Sequence, residues 1–204
     1  MSPITPLDVL GLADLDGRAP ADLFPARKPL ELEIGCGRGD FLMGRAPANP
    51  GTGFIGVERN LPIIRRAANK MRPWTHGNVR LVHADIVHLL ADWFPPAGLS
   101  AVHLYFPDPW PKKRHVKRRF FTAANMALVE RALEPGGFFH LRTDHERYFG
   151  EMMEVMAAMP QFQGIPVPEA VSVHRTAFEL RFVRLGQPVF LRSYRLDTGR
   201  SDGR

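Results

Sequence analysis

What most constrains the fold of this chain is a regular alternation, from residue 30 to residue 159, of short aliphatic runs with stretches of helical periodicity. Residues 30–34, 53–58, 79–85, 100–108 and 138–144 read as strands, and residues 40–45, 61–71, 120–133 and 145–159 as helices, the first ending near Pro47. Ile63, Ile64, Ala67 and Ala68 repeat at the spacing of one helix face. Strands separated by helices need crossover connections, which run them parallel and cover both faces of the sheet. The expectation is therefore an α/β fold, a three-layer sandwich with a mostly parallel sheet. Beyond Pro160 the pattern changes. Residues 160–170 carry three Pro and read as loop, and residues 171–175 and 188–195 are expected to close the sheet as an antiparallel C-terminal pair.

Residues 1–29, with five Pro and scattered acids, read as a loop-rich N-terminal extension before a single domain over residues 30–196, and residues 197–204 as a disordered tail. The lone Cys36 has no internal disulfide partner, and it reads as a small residue packed in a glycine loop. The N-terminal stretch carries Asp8, Asp14 and Asp16 without a basic start, unlike a secretory signal. No apolar run reaches the ~18 residues of a membrane span. A cytoplasmic protein is expected.

Charge is concentrated. The chain has 27 Lys and Arg against 21 Asp and Glu, a net +6. Six of the eight positions 112–119 are cationic, and the rest of the chain balances. No apolar face accompanies this run, so a polyanion, nucleic acid ahead of membrane, is the expected partner. Seven Arg in residues 175–204 form a weaker second excess.

In an open parallel sheet, ligands bind beyond the carboxyl ends of the strands. Glu33, Glu58, Asp85, Asp108 and Asp144 fall at five consecutive expected strand ends. One such carboxylate can be a helix cap. Five together describe a polar crevice. Gly35, Gly37 and Gly39 follow the first strand, spaced one residue short of the dinucleotide fingerprint and without the Lys-Ser/Thr of a phosphate loop. Glu58 can accept from two ribose hydroxyls and Asp85 from an adenine amine, an acidic pair that suits a nucleoside without phosphates.

Glu33-x-Gly35-x-Gly37-x-Gly39 with Glu58 and Asp85 resembles the S-adenosylmethionine site of class I methyltransferases, whose fold is Rossmann-like. The run Phe106-Pro107-Asp108-Pro109-Trp110-Pro111-Lys112-Lys113-Arg114-His115-Val116-Lys117-Arg118-Arg119 is similar to the signature of the tRNA (guanine-N7)-methyltransferase family, the bacterial TrmB type. Arg142-Thr143-Asp144 and Thr176-Ala177-Phe178-Glu179 match two further elements of that family. The resemblance implies methyl transfer from S-adenosyl-L-methionine to N7 of guanosine 46 in the variable loop of tRNA. It implies a glycine loop around the methionine part, with Glu33, Glu58, Asp85 and Asp108 on the cofactor side and Asp108 also catalytic. It places Lys112, Asp144, Thr176, Ala177, Phe178 and Glu179 against the substrate, and Arg114, His115, Val116, Lys117, Arg118 and Arg119 on RNA.

The chemistry agrees with those residue types. Guanine N7 is a lone-pair nucleophile without a proton, so alignment matters more than a base. The opposite edge of the base presents N1–H and a 2-amino group, for which Asp108, Asp144 and Glu179 are suitable acceptors. Trp110 and Phe106 can support a base by stacking, and Trp110 equally well reads as an anchor under its loop. The alternatives are an amino-methyltransferase acting on adenine or cytosine of RNA or DNA, a non-catalytic RNA-binding protein on this fold, and, behind them, a nicotinamide-dependent oxidoreductase. Asp108-Pro109-Trp110 is near the loop that amino-methyltransferases use, but Trp at that position and the cations after it argue against them. The eight His show no metal-ligand spacing, so no metal is expected. Met152, Met153, Met156 and Met159 read as core.

Overall fold

In the computed structural model, which describes residues 8–26, 29–73, 77–110, 112–174 and 176–199, the alternation becomes a single sheet flanked by helices. The first half comprises β1 (Val9–Leu10), α1 (Leu12–Leu15), β2 (Leu30–Ile34), α2 (Asp40–Ala48), β3 (Gly53–Glu58), α3 (Leu61–Met71), β4 (Val79–His83) and α4 (Ile86–His88). The second comprises β5 (Leu99–Tyr105), α5 (Ala123–Ala132), β6 (Leu133–Thr143), α6 (Glu146–Ala157), β7 (Phe162–Ile165), α7 (Glu169–Ser172), α8 (Ala177–Arg184) and β8 (Phe190–Leu196). A 3-10 stretch, Lys113–Arg118, carries most of the cationic run.

The sheet order is β1-β4-β3-β2-β5-β6-β8-β7. Strands β1 to β6 pair in parallel, and β8 runs antiparallel to both β6 and β7. After β2 the chain builds outward through β3 and β4, then returns to lay β5 on the other side of β2. That reversal opens a crevice above the carboxyl ends of β2 and β5.

Period-two alternation sorts the two faces. Leu32, Ile34, Val102, Leu104, Phe139 and Leu141 pack with Met126 and Val129 of α5 and Met152 and Met156 of α6. Phe54, Leu81 and Tyr105 pack with Phe41 and Leu42 of α2 and Ile64, Ala67 and Met71 of α3. Helix α3 begins where expected because the Asn60 side chain accepts from Ile63 N and Pro62 occupies its first turn.

Several expectations are corrected. Residues 9–10, in the stretch read as loop, add a parallel edge strand on β4, and Leu10, Leu15, Leu23 and Phe24 join the main core; a two-residue strand is too short to show a period. Strand β4 ends at His83 and β5 at Tyr105, so Asp85 and Asp108 lie in the loops beyond. Helix α2 continues past Pro47 to Ala48, since a Pro in the last turn forfeits only one helical bond. Residues 135–137 form an irregularity inside β6, where the pairing register with β5 shifts. The outer strand of the antiparallel pair is β7, in the stretch read as loop, while most of residues 171–175 form α7 and the turn after it. Helix α8 was not expected. The tail expected to be disordered lies mostly outside the described residues. Among the described residues no helix is long and apolar enough to cross a membrane.

Candidate active site

The crevice at the sheet reversal measures about 440 Å³, within the range of small-molecule sites. Gly35, Glu58, Asp85, Ile86, Phe106, Asp108, Trp110, Lys117, Arg118 and Arg119 all border it. Of the sequence-expected cofactor residues, Gly35, Glu58, Asp85 and Asp108, the last also the catalytic candidate, thus meet part of the cationic run in one place, while Glu33, Gly37 and Gly39 are not among the lining residues.

Glu58 ends β3, with Oε2 accepting from Gly37 N at 3.2 Å and Oε1 accepting from Asn60 N at 2.8 Å. These bonds tie the glycine loop to the carboxylate and leave each oxygen a further lone pair. Asp85 caps α4, its Oδ1 accepting from Val87 N at 2.9 Å, and remains exposed on the crevice wall. Both roles considered for it, cap and crevice carboxylate, are compatible. Gly35 has φ +67°, and a Cβ built there meets no protein atom within 4 Å, so the backbone leaves room for a ligand at this wall. Gly39 shares the positive φ, +70°, and there a Cβ would also run into Met71 of α3, so packing constrains that position as well.

Glu33 lies within β2, opposite Gly56 and His103, and not at the strand end. It is buried, and its Oε2 has no hydrogen-bond partner. Burial, reinforced by the negative charges of Asp40 and Glu58, holds its carboxyl well above the usual range. A buried acceptor without a donor, two residues from an open glycine wall and near two acids, suits the ammonium of an amino-acid moiety. Together with the ribose-type acceptors at Glu58, these residues fit S-adenosylmethionine.

Above the crevice runs the loop from Phe106 to Arg119. Phe106 N donates to Arg142 O at 2.8 Å, and Phe106 and Trp110 both have positive φ, +50° and +39°, which costs free energy in non-glycine residues. Asp108, between them, is 70% exposed, with Oδ2 3.6 Å from Arg59 of the β3–α3 loop. The Trp110 ring lies under the Arg118 guanidinium at 5.1 Å and near that of Arg59 at 6.0 Å, with His115 edge-on. Lys112, Arg114, Lys117 and Arg118 are exposed. Nothing is described for the side chain of Val116. Arg119 departs from its neighbours: it is buried, donates to Pro109 O at 2.6 Å, pairs with Glu151 of α6 and covers the Tyr148 ring. Its guanidinium holds the loop down and does not face outward to phosphate.

The expected substrate residues divide. Asp144 is half-buried directly after β6, outside the crevice lining. Thr176 caps α8, its Oγ1 accepting from Glu179 N at 3.1 Å. The side chains of Ala177 and Phe178 are not described. Glu179 is buried and accepts from Arg142 Nη1 at 2.6 Å, so in this structure its carboxylate is engaged behind the surface.

A polar stripe runs under this region on the α2 face of the sheet. Glu31 pairs with Arg45 and accepts from His103 Nε2 at 3.0 Å, while the Tyr105 hydroxyl donates to His103 Nδ1 at 2.8 Å. Burial opposes ionisation of Glu31, but the His103 hydrogen bond and the Arg45 charge hold it at about 2. Burial keeps His103 below its ordinary value, hence neutral in this pair. Sequence reasoning missed this stripe, Arg59 and the crevice residues Phe120 and Asn125. The alternation of Glu31, Glu33, His103, Tyr105, His140 and Arg142 on one face of three strands was the available signal.

Among the described residues no group of three or more His, Cys, Asp or Glu could hold a metal ion. A family model described as "Putative methyltransferase" matches residues 27–191. The tRNA (guanine-N(7)-)-methyltransferase of Chromohalobacter salexigens is 38% identical over 189 residues, covering 89% of this chain and 77% of its own. That of Alcanivorax borkumensis is 40% identical over 176 residues, covering 84% and 74%. Among solved structures, the 30S ribosomal A1408 methyltransferase from an uncultured bacterium superposes with TM-score 0.57 at 12% identity, over 86% of this chain and 90% of its own. The aminoglycoside resistance methyltransferase NpmB1 does so with TM-score 0.56 at 14% identity, over 90% and 92%. At that identity the two structures establish the shared fold alone.

Proposed function

This chain belongs to the tRNA (guanine-N(7)-)-methyltransferase family, and we propose on that premise that it methylates N7 of guanosine 46 in the variable loop of tRNA, in the cytoplasm. The observation that carries the reading is the meeting of Gly35, Glu58, Asp85 and Asp108 in one crevice whose rim is the cationic loop. S-adenosylmethionine, when bound, supplies the methyl group as an electrophile on its sulfonium centre. Glu58 accepts from the ribose hydroxyls, Asp85 from the adenine amine, and the unpartnered Glu33 oxygen faces the charge of the amino-acid part. The catalytic unit on this reading is residues 30–196, with residues 8–26 closing one edge of its sheet.

Guanine N7 has no proton to lose, so the work of the chain's residues is alignment. Asp108 and Asp144 accept from N1–H and the 2-amino group, holding the base by the edge opposite N7. The base becomes cationic on methylation, and fixed carboxylates nearby favour that charge. The turn at Thr176 to Glu179 borders the base, with Glu179 holding the turn from behind. Lys112, Arg114, Lys117 and Arg118 contact phosphates. The test is nucleoside mass analysis of unmodified tRNA after incubation with enzyme and S-adenosylmethionine. The reading expects 7-methylguanosine. Methyladenosine or methylcytidine would transfer the assignment to an amino-methyltransferase, and no product with intact tRNA binding would indicate a non-catalytic RNA-binding protein.

A further inference from the structure

The segment from α7 to the start of α8 has little apolar anchorage. Among its described side chains Val171 is the buried hydrophobe. Its attachment is polar and comes from two arginines. Arg45 on α2 donates from Nη1 to Ala170 O at 3.0 Å. Arg142, near the end of β6 and 1% exposed, donates from Nη1 to His174 O at 3.0 Å and to Glu179 Oε2 at 2.6 Å, and from Nη2 to Val171 O. Its guanidinium lies 4.5 Å from the centre of the Tyr105 ring. The main chain of the same residue supports the facing loop, since Arg142 O accepts from Phe106 N at 2.8 Å. Phe106 also stacks on Phe182 of α8, with ring centres 6.2 Å apart. One residue therefore joins the loop that carries Asp108, the turn at Thr176 to Glu179 and, two positions on, Asp144.

We propose that Arg142 is a positioning residue for methyl transfer, its guanidinium clasping residues 171–179 to the sheet so that the Thr176 turn and the Asp108 loop stand in fixed register across the base. The inference deepens the function proposed above and rests on it. Arg142 does not border the crevice, so its effect passes through the segment it holds. A planar guanidinium presents five N–H donors in a rigid fork, and through its two Nη groups it can bridge two carbonyls and a carboxylate at once, which a lysine ammonium cannot do in that geometry.

The test uses the full chain as Arg142→Gln, Arg142→Lys and Gly44→Ala. The last variant disturbs the clasp from outside without removing a buried charge. A Cβ at Gly44 would stand 2.9 Å from His174 Nδ1, while Ala is the better helix former within α2. In all three, affinity for S-adenosylmethionine should stay within about threefold of the parent, because no crevice residue is altered. Amide exchange over residues 176–184 should rise about tenfold or more in Arg142→Gln and Gly44→Ala, a local opening that spares the rest of the sheet. Single-turnover methylation should fall about 30-fold or more, as expected when reacting groups lose register by about 1 Å, with Arg142→Lys recovering part of the rate. A parental rate in Arg142→Gln, unchanged exchange over 176–184, or a loss confined to cofactor affinity overturns the proposal. Should Arg142→Gln fail to fold, Gly44→Ala decides on the same readouts. A parent protein that makes no 7-methylguanosine defeats the function itself, whereas a methylating parent with an equally active, loosened variant defeats only the clasp.

Discussion

At the scale of single residues, the site is a set of carboxylates in unlike environments. Glu58 organises the glycine loop through two backbone N–H groups, and on this account it also holds the ribose. Glu58→Ala should weaken S-adenosylmethionine binding by about 1.5 to 3 kcal/mol, the worth of hydrogen bonds to a charged group, and titration calorimetry checks it. An unaltered affinity would place the ribose elsewhere. Asp108 is exposed and its contact with Arg59 is long, so its loss should leave thermal stability nearly unchanged. Asp108→Ala should nonetheless lower single-turnover methylation by a factor on the order of 100. Asp108→Asn should keep more activity than Asp108→Ala, since an amide oxygen still accepts a hydrogen bond. Equal loss in both, with a parent rate that climbs with pH through an ionisation, would indicate proton abstraction and contradict alignment as the main effect. Arg119 shows where reading residues from sequence stops. Six cations in one run look alike, and only packing against Tyr148 and Glu151 distinguishes the one that holds the loop.

At the scale of elements, the cationic 3-10 turn and the polar sheet face make separate predictions. If the exposed Lys112, Arg114, Lys117 and Arg118 contact about four phosphates, log affinity for tRNA should fall against log salt with a slope near −3, at about −0.7 to −0.9 per contact. Replacing Arg114, Lys117 and Arg118 together by Gln should flatten it, while Arg119→Gln should leave the slope intact and loosen the loop. A triple variant with the parent slope would move the RNA surface, most simply to the C-terminal arginines. On the sheet face, burial lowers His103 below its usual value of 6.5 and His140 to about 2. Both are neutral when folded and take up protons on unfolding, so their contribution is complete above about pH 6.5 and is lost as pH falls from there. Glu31, held at about 2 against an ordinary 4.5, adds to the loss below pH 4.5. Glu33 works the other way, because its raised value contributes stability below 4.5 that disappears as pH rises. The melting temperature should therefore drop between pH 7 and pH 5, with each histidine adding at most about 1.4 kcal/mol per pH unit. His140→Gln should show a shallower drop, and an unchanged pH dependence would contradict the account of this face.

At the scale of the whole molecule, the elements that were legible are those whose signals are local. Strands β2 and β3 and helix α3 lie between a Pro, Gly residues and the Asn60 cap, and their bounds follow from those residues. Residues 188–195 form the expected antiparallel strand, β8, whereas residues 162–184 depart from the expectation for a physical reason. Val171 and Val173 have strand propensity, yet the backbone carbonyls at Ala170, Val171 and His174 are taken by arginine side chains from α2 and β6, an arrangement that no local pattern announces. Of the five acids, Glu58, Asp85 and Asp108 border the crevice and were legible because the parallel alternation places strand ends together, although Asp85 and Asp108 lie in loops beyond those ends, and Glu33 and Asp144 are outside the lining. The chain's central property on this account is delivery of a methyl group to N7 of one guanosine in folded tRNA. Borohydride reduction followed by aniline scission cleaves RNA at 7-methylguanosine and reports both atom and position. After incubation with enzyme and S-adenosylmethionine, the account predicts a single new cut at guanosine 46, abolished when that guanosine is replaced by adenosine. Methyl incorporation without a cut, or a cut that persists elsewhere after the replacement, would contradict it.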